Sequence, residues 1–325
     1  MKKILVTGAT GFTGTALCRA LAEGGREVVA FVRPGSRTAA LQDLGVECRV
    51  VDIKDPGAVA GNFSDIGLVY HIAAYRVELA DRDEFRQVNV NGTRNLLDAA
   101  RAAKVRRFVH CSTVGVQGAI DDPPATEEYR FSPGDHYQVS KMEGELLAMA
   151  YFHGGLPGAV VRPVGIYGPG DSRFLKLFRP ISKGRFAMIG SGRVRYHMTY
   201  IDDLVAGILL CGTRKEALGE VFTIGGPRYT TIRDLVAAIA RALGCPPPRW
   251  RVPFAPVYAA AVLCDWLCRP FGIRPPLYPR RVEFFHKDRA FSIEKAKRLL
   301  GYRPEVDLEE GLARTAAWYR GQGML

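Results

Sequence analysis

The sequence predicts an α/β fold: a doubly wound parallel sheet with a smaller C-terminal α/β cap that binds substrate. Three observations predict it. Apolar runs of strand length recur at 3–7, 27–32, 47–51, 67–72, 106–111 and 158–162. Helix-length amphipathic segments such as 12–24 and 92–103 separate them, the rhythm of βαβ units around a parallel sheet. Directly after the first run, "VTGATGFTG" places Gly8, Gly11 and Gly14 between a strand and a helix. Glycines there let the backbone approach a pyrophosphate, whose charge the helix N-terminus favours.

The bulk properties narrow the class. The 325 residues are 47% hydrophobic and 24% charged, an ordinary globular balance with room for one large domain or two modest ones. The opening "MKKILVTGAT" has two lysines before an apolar run, but the run breaks after four residues into the glycine loop and no cleavage pattern follows. It reads as a buried strand rather than a secretory signal. Seven scattered cysteines (18, 48, 111, 211, 245, 264 and 268) include no C-x-x-C pair. That pattern predicts free thiols, a cytoplasmic location and no metal site. The net charge of +12 is spread along the chain, densest in "RPPLYPRRVEFFHKDR" from Arg274 to Arg289. A solvated face, or attraction to an anionic cofactor or membrane surface, accounts for it better than nucleic acid does.

Along the chain, "HYQVSKMEGELLAMAYF" follows the fifth strand and a long loop and reads as a helix. It carries Tyr137 and Lys141 four residues apart, on one face and about 6 Å apart along the axis. Of 13 tyrosines, only Tyr137 has a lysine four residues on. A nearby ammonium favours the phenolate and is expected to pull the phenol down from its reference near 10. Such a tyrosine can take a proton from a secondary alcohol or return it to a carbonyl.

After about residue 165 the rhythm changes, with Gly and Pro crowding "YGPGD", "IGGP" and "CPPP". The dinucleotide-binding core is therefore expected over 1–165 plus about 199–224, and the cap over about 166–198 and 225–325. "TTIRDLVAAIARALG" opens with Thr231 and Asp234 spaced as a capping box, and Ile232, Leu235, Val236, Ile239 and Leu243 form one stripe. "PFAPVYAAAVLCDWLCRPFGI" is apolar without interruption from Val252 to Cys264, too short to span a bilayer. It reads as a core or pocket-lining helix, or as a lid that touches a membrane or admits an apolar substrate. Helices over 83–103 and 137–152 suit either a homodimer face or internal packing.

Taken together, these motifs resemble the extended short-chain dehydrogenase/reductase superfamily, the NAD-dependent epimerases and dehydratases with a Rossmann core. The resemblance runs from Lys2 to about Tyr319. It implies cofactor contacts from Gly8, Thr10, Gly11, Phe12 and Gly14, from Asp52 and Ile53 in "VVDIKDP", and from Ala73 and Ala74 in "HIAA". It adds Tyr137, Lys141 and Pro163 in "RPVGIYGPGD". The second strand ends "AFVRPGSR": NAD-specific relatives carry an acid where this chain has Val32, followed by Arg33, with Ser36 and Arg37 close by. A cationic, hydroxyl-bearing turn implies NADP, with NAD as the alternative. In "FVHCSTVGVQG", Thr113 aligns with the catalytic hydroxyl and Ser112 with a supporting one.

The substrate is the open question. Nucleotide-sugar relatives commonly show G-D-G-x-x-x-R-D-[FY]-x-Y-V-D-D, with the arginine on a diphosphate. Here "GSGRVRYHMTYIDD" has Tyr196 in place of that arginine and His197 in place of the aspartate. In an extended segment, a cleft-facing Tyr196 brings Val194 and Met198 with it and sends Arg193 and Arg195 to the other face, leaving an apolar, aromatic wall. "FFHKDRAFSIEKAKRLLGYRP" resembles the 3β-hydroxysteroid/sterol-carboxylate dehydrogenase and dihydroflavonol reductase branch. The resemblance thus implies a secondary alcohol or ketone on a sterol-like or other hydrophobic small molecule, with Tyr75, Thr113, Tyr167, Tyr196 and Arg281 as substrate contacts. The alternatives are a nucleotide-sugar 4-epimerase or dehydratase with retained NAD, and a non-catalytic cofactor sensor, which usually lacks the Tyr–Lys pair.

Overall fold

A strand buried along its whole length belongs in a sheet covered on both faces. The strands β1 (Lys3–Thr7, buried from Ile4 on), β2 (Val28–Val32), β4 (Ile66–His71), β5 (Arg107–Cys111) and β6 (Gly158–Pro163) are of this kind, with β3 (Glu47–Val50) more exposed at one edge. A computed structural model describes residues 2–76, 82–271, 273 and 275–325. In it a seventh strand, β7 (Val221–Ile224), completes a sheet of order β7-β6-β5-β4-β1-β2-β3. All its pairings are parallel. The order reverses at β1, so the crevice for a ligand opens beyond the carboxyl ends of β1 and β4.

Alternate side chains of each strand feed two cores. Ile4 and Val6 face α1 (Phe12–Glu23), through Leu17 and Leu21, and a later helix over Ile201–Thr213, through Leu204 and Ile208. Leu5, Val29 and Val69 face α2 (Gly92–Ala102), through Leu96 and Leu97, and α3 (His136–His153), through Ala148 and Phe152. The helix expected over 83–103 is present as Arg82–Arg86, a π-helical turn over Gln87–Asn91, and α2.

The remaining chain builds the other side of the crevice from short paired strands. Gly165–Tyr167 runs parallel to Met198–Tyr200, Arg195–Tyr196 antiparallel to Thr230–Thr231, and Met188–Ile189 parallel to Arg251–Val252. Of the helices here, α4 is Leu175–Ser182, α5 the Ile201–Thr213 helix named above, α6 Ile232–Leu243, α7 Phe254–Cys268, α8 Pro279–Glu283 and α9 Leu308–Gly321. Thr231 caps α6 by accepting from the Asp234 N–H at 3.1 Å, and Ile232, Leu235, Val236 and Ile239 are buried. Three residues of the segments read above, Met1, Gly272 and Arg274, lie outside the described residues.

Candidate active site

Between the two parts runs a cleft of about 1540 Å³, above the roughly 300–1,000 Å³ of ordinary small-ligand pockets. At its floor the glycine turn is sterically obligatory. Gly8 has φ +69°, and a Cβ there would stand 2.7 Å from the Ala73 nitrogen. A Cβ on Gly14 would stand 2.7 Å from the Ala9 Cα. Gly11 is the N-cap of α1 and supplies no side chain to cap it. The first N–H groups of α1 and its positive end are thereby left beside Thr10, Gly11 and Phe12, which line the cleft. This donor set fits a pyrophosphate.

At one end of the cleft stand Val32, Arg33, Ser36, Asp52 and Ile53. The Ile53 carbonyl accepts from Asn95 Nδ2 at 2.9 Å, and Asp52 accepts from the Lys54 N–H at 2.9 Å. Arg37 is exposed and not among the lining residues. In the turn between Arg33 and Arg37, Ser36 N–H returns to the Arg33 carbonyl at 3.1 Å.

Behind Ala73, Ala74 and Tyr75, which also line the cleft, a buried polar network sets the backbone. Thr7 Oγ1 accepts from the Ala73 N–H at 3.2 Å and lies 2.7 Å from His71 Nδ1. Asn89 holds Tyr75 at both ends, accepting from its N–H at 2.7 Å and donating to its carbonyl at 3.1 Å. The same amide donates to Ser140 Oγ at 2.9 Å, and Ser140 donates to the Tyr137 carbonyl at 2.9 Å. Asn89 thus ties the wall at Tyr75 to the start of α3.

α3 begins where Asp135 accepts from the Gln138 N–H at 2.8 Å. It presents half-buried Tyr137 and buried Lys141 to the cleft. Lys141 Nζ donates to the Cys111 carbonyl at 2.7 Å, at the end of β5. One turn further, Glu145 accepts from Arg162 Nε on β6 at 3.1 Å, a buried pair that fixes the helix against the sheet. Thr113 and Ser112 follow β5 into the cleft. Thr113 Oγ1 accepts from the Gly115 N–H at 3.1 Å, leaving its own proton free to donate. Ser112 Oγ is buried with no hydrogen-bond partner among the described residues.

The electrostatics differ from the expectation of a depressed phenol. In the protein alone, burial pushes the Tyr137 phenol up, and Arg76 is the first of the charges that oppose the rise. Burial pushes the Lys141 ammonium down. Lys141 is turned toward a carbonyl dipole, so the cation over the Tyr137 ring is Arg76, 5.8 Å from its centre.

The far wall is aromatic and basic together. Tyr196 lies edge-on to Phe284 with centroids 5.0 Å apart, and Phe284 lies edge-on to Phe285 at 5.1 Å. Phe186, Ile189 and Phe291 line the same region. Arg193 and Arg195 are exposed and absent from the lining. The wall is nevertheless not simply apolar, because Arg76, Arg173 and Arg289 line it from other elements. Arg173 is paired with Asp171. Arg76 and Arg289 have no carboxylate partner among the described residues.

This geometry matches known proteins over almost the whole chain. The profile of the NAD dependent epimerase/dehydratase family matches residues 4–225. The chain belongs to that family. It is 32% identical to the 2-alkyl-3-oxoalkanoate reductase of Stenotrophomonas maltophilia (strain K279a), over 97% of this chain and 98% of the relative. It is 31% identical to a 3-beta-hydroxysteroid dehydrogenase of Mycolicibacterium neoaurum, over 98% and 91%. The solved structure of UDP-glucuronic acid 4-epimerase from Bacillus cereus in complex with NAD superposes with a TM-score of 0.78 at 27% identity, over 98% of this chain and 99% of that one. The chain is therefore an enzyme of the epimerase/dehydratase superfamily, with oxidoreductases among its relatives.

Within this family frame, the cleft brings together most of the residues singled out from sequence, Pro163 and Arg281 included. Tyr167, like Arg37, does not line it. It is 2% exposed and packs away from the cleft, edge-on to Tyr200 at 5.6 Å, with its hydroxyl 3.5 Å from the Leu308 carbonyl. Strand alternation gives the cleft to Ile166 instead, so the expected substrate contact of Tyr167 is withdrawn. Arg281 is exposed and donates to the Pro276 carbonyl at 3.1 Å. The sequence reading missed Arg76, Arg173, Arg289 and the Phe284–Phe285 wall, which no local motif announces.

Proposed function

We propose that this chain is an NADP(H)-dependent oxidoreductase that interconverts a secondary alcohol and a ketone on an extended apolar skeleton. The observation that carries the reading is the packing of Tyr196 against Phe284 where nucleotide-sugar enzymes place a diphosphate-binding arginine. The guanidiniums of Arg76 and Arg289, without a carboxylate partner among the described residues, add a preference for a substrate bearing an anionic substituent. The named relatives, a 2-alkyl-3-oxoalkanoate reductase and a 3-beta-hydroxysteroid dehydrogenase, support the same substrate class.

The roles follow from position. Thr113 donates to the reacting oxygen and holds it in line, with Ser112 beside it. Tyr137 takes the alcohol proton or returns it to the ketone. Lys141 anchors α3 to β5 through the Cys111 carbonyl, and Arg76 supplies positive charge beside the phenol. Gly8, Gly11 and Gly14 with the N-terminus of α1 hold the pyrophosphate, and Ala73, Ala74 and Pro163 border the nicotinamide end. Bound NADP(H) supplies the hydride acceptor or donor. Preference for the 2′-phosphate rests on Val32, which offers the ribose no carboxylate, and on Arg33 and Ser36 at the cleft edge.

A second reading, a nucleotide-sugar 4-epimerase with retained NAD, is favoured by Arg173 and Arg289 in the cleft and by the epimerase structure above. Steady-state turnover separates the two. NADPH oxidation with steroid ketones or 2-alkyl-3-oxo acids, at a kcat/KM at least about tenfold above any rate on UDP-sugars, is expected. Interconversion of UDP-sugars without net cofactor change would overturn the first reading.

A further inference from the structure

Helix α7 is apolar and yet buries only Ala261 of its 15 residues. Leu263 is 55% exposed, Trp266 68% and Phe271, just beyond the helix, 76%. Ala259, Val262, Leu263, Trp266 and Leu267 are all exposed and fall at helical spacing on one side. A contiguous outward stripe of this kind marks a surface that meets something apolar.

The stretch of chain that carries this helix is basic. Between Gly244 and Arg281 the sequence has six arginines and one acid, Asp265. Arg251 pairs in parallel with Met188, and the Met188 N–H donates to the carbonyl of Trp250, itself 75% exposed, at 2.9 Å. This register sets the Arg249–Arg251 segment beside the turn that carries Lys183 and Arg185. All four cations are exposed, and none has a carboxylate partner among the described residues.

We propose that this face is a docking surface for an anionic lipid bilayer, with α7 lying in the headgroup plane. Phosphate headgroups complement the unpaired cations while the interfacial region takes the Leu263–Trp266–Phe271 stripe. A two-fold contact between copies would instead bring the same unpaired arginines face to face. Among the described residues no helix is long and apolar enough to cross a membrane, so the attachment is peripheral. α7 packs on α8, whose Arg280–Glu283 line the cleft. The bilayer therefore borders the substrate end of the enzyme.

Sedimentation of the full chain with vesicles tests this. Vesicles of phosphatidylcholine with phosphatidylglycerol should carry the protein down, and phosphatidylcholine alone should do so at least roughly tenfold less well. Binding should shift tryptophan emission to the blue. The double variant L263S/W266S should lose the shift and at least roughly 90% of the binding. Its melting temperature and its turnover of a water-soluble alcohol should match the wild type. R249E/R251E should lose the preference for anionic vesicles. No sedimentation with either vesicle overturns the proposal. So does a wild-type dimer in light scattering that L263S/W266S dissociates while vesicle binding is absent.

Discussion

The Arg76 guanidinium stands 5.8 Å from the centre of the Tyr137 ring, while the Lys141 ammonium is turned to the Cys111 carbonyl at 2.7 Å. Two cations therefore share the work around one phenol. Lys141 ties the helix to the sheet, and Arg76 opposes the rise that burial imposes on Tyr137.

This division predicts different outcomes for three variants. Tyr137→Phe removes the proton carrier and should lower kcat by about 10²–10⁴, the usual worth of a general acid–base group. Cofactor affinity, read by fluorescence titration, should hold. Arg76→Gln removes positive charge beside the phenol, so the Tyr137 pKa rises and the limb on which alcohol oxidation gains rate with pH moves to higher pH. Lys141→Met leaves a buried carbonyl unpaired and should cost about 1–3 kcal/mol of stability as well as activity. An unmoved pH profile in Arg76→Gln would remove Arg76 from the account.

Cofactor choice turns on the end of β2. Val32→Asp places a carboxylate where the adenosine ribose hydroxyls are expected and would repel a 2′-phosphate. The NADP-to-NAD ratio of kcat/KM should fall by at least about tenfold, which corresponds to roughly 1.4 kcal/mol. Arg33→Ala should lower it in the same direction. Unchanged ratios in both variants would count against the NADP assignment.

Substrate choice turns on Tyr196. Its ring meets Phe284 edge-on, a contact worth about 0.5–1.5 kcal/mol beyond area burial. Tyr196→Ala should raise KM for a hydrophobic ketone about tenfold, with kcat less affected. An equal loss of kcat would place Tyr196 in the chemistry rather than in the wall.

The buried histidines predict acid sensitivity. His71 and His110 are inaccessible, with ring centroids 5.3 Å apart. Burial pushes His71 down to about 3 and His110 well below its ordinary value. Both folded-state pKa values lie below the unfolded value, so the stability is present above about pH 6.5 and lost as pH falls. Between pH 6.5 and 5.5 the loss should be about 2 kcal/mol for the two together. Among the described residues neither ring nitrogen of His110 has a hydrogen-bond partner, so His110→Phe should halve that dependence in urea melts. A melt independent of pH over this window would show that the rings ionise in the folded state.

The alternation of apolar runs made six strands legible, because buried parallel strands read as continuous hydrophobic segments. β7 is four residues long, Val221–Ile224, and such a run carries little periodic signal. Tyr137 and Lys141 were legible because helical spacing is local. Of the substrate wall, Tyr196 was legible and its partners Phe284 and Phe285 were not. Tyr196 meets the 284–291 segment because His197 N–H donates to the Arg289 carbonyl at 3.0 Å and Arg289 N–H to the Arg195 carbonyl at 2.8 Å. No periodicity links positions that far apart in sequence. The same pairing brings Arg289 into the cleft that Arg193 and Arg195 leave. Tyr167 was misread because "GIYG" has the motif's residues but not its facing, which the burial of the ring under Gly311 decides.

The most direct measurement is the fate of the nucleotide during turnover. Purified protein is denatured, the released nucleotide identified, and cofactor consumption followed against product. The account predicts no tightly retained NAD, and NADPH oxidised one-for-one with reduction of a hydrophobic ketone. Stoichiometric NAD released unchanged after turnover of a UDP-sugar would contradict it.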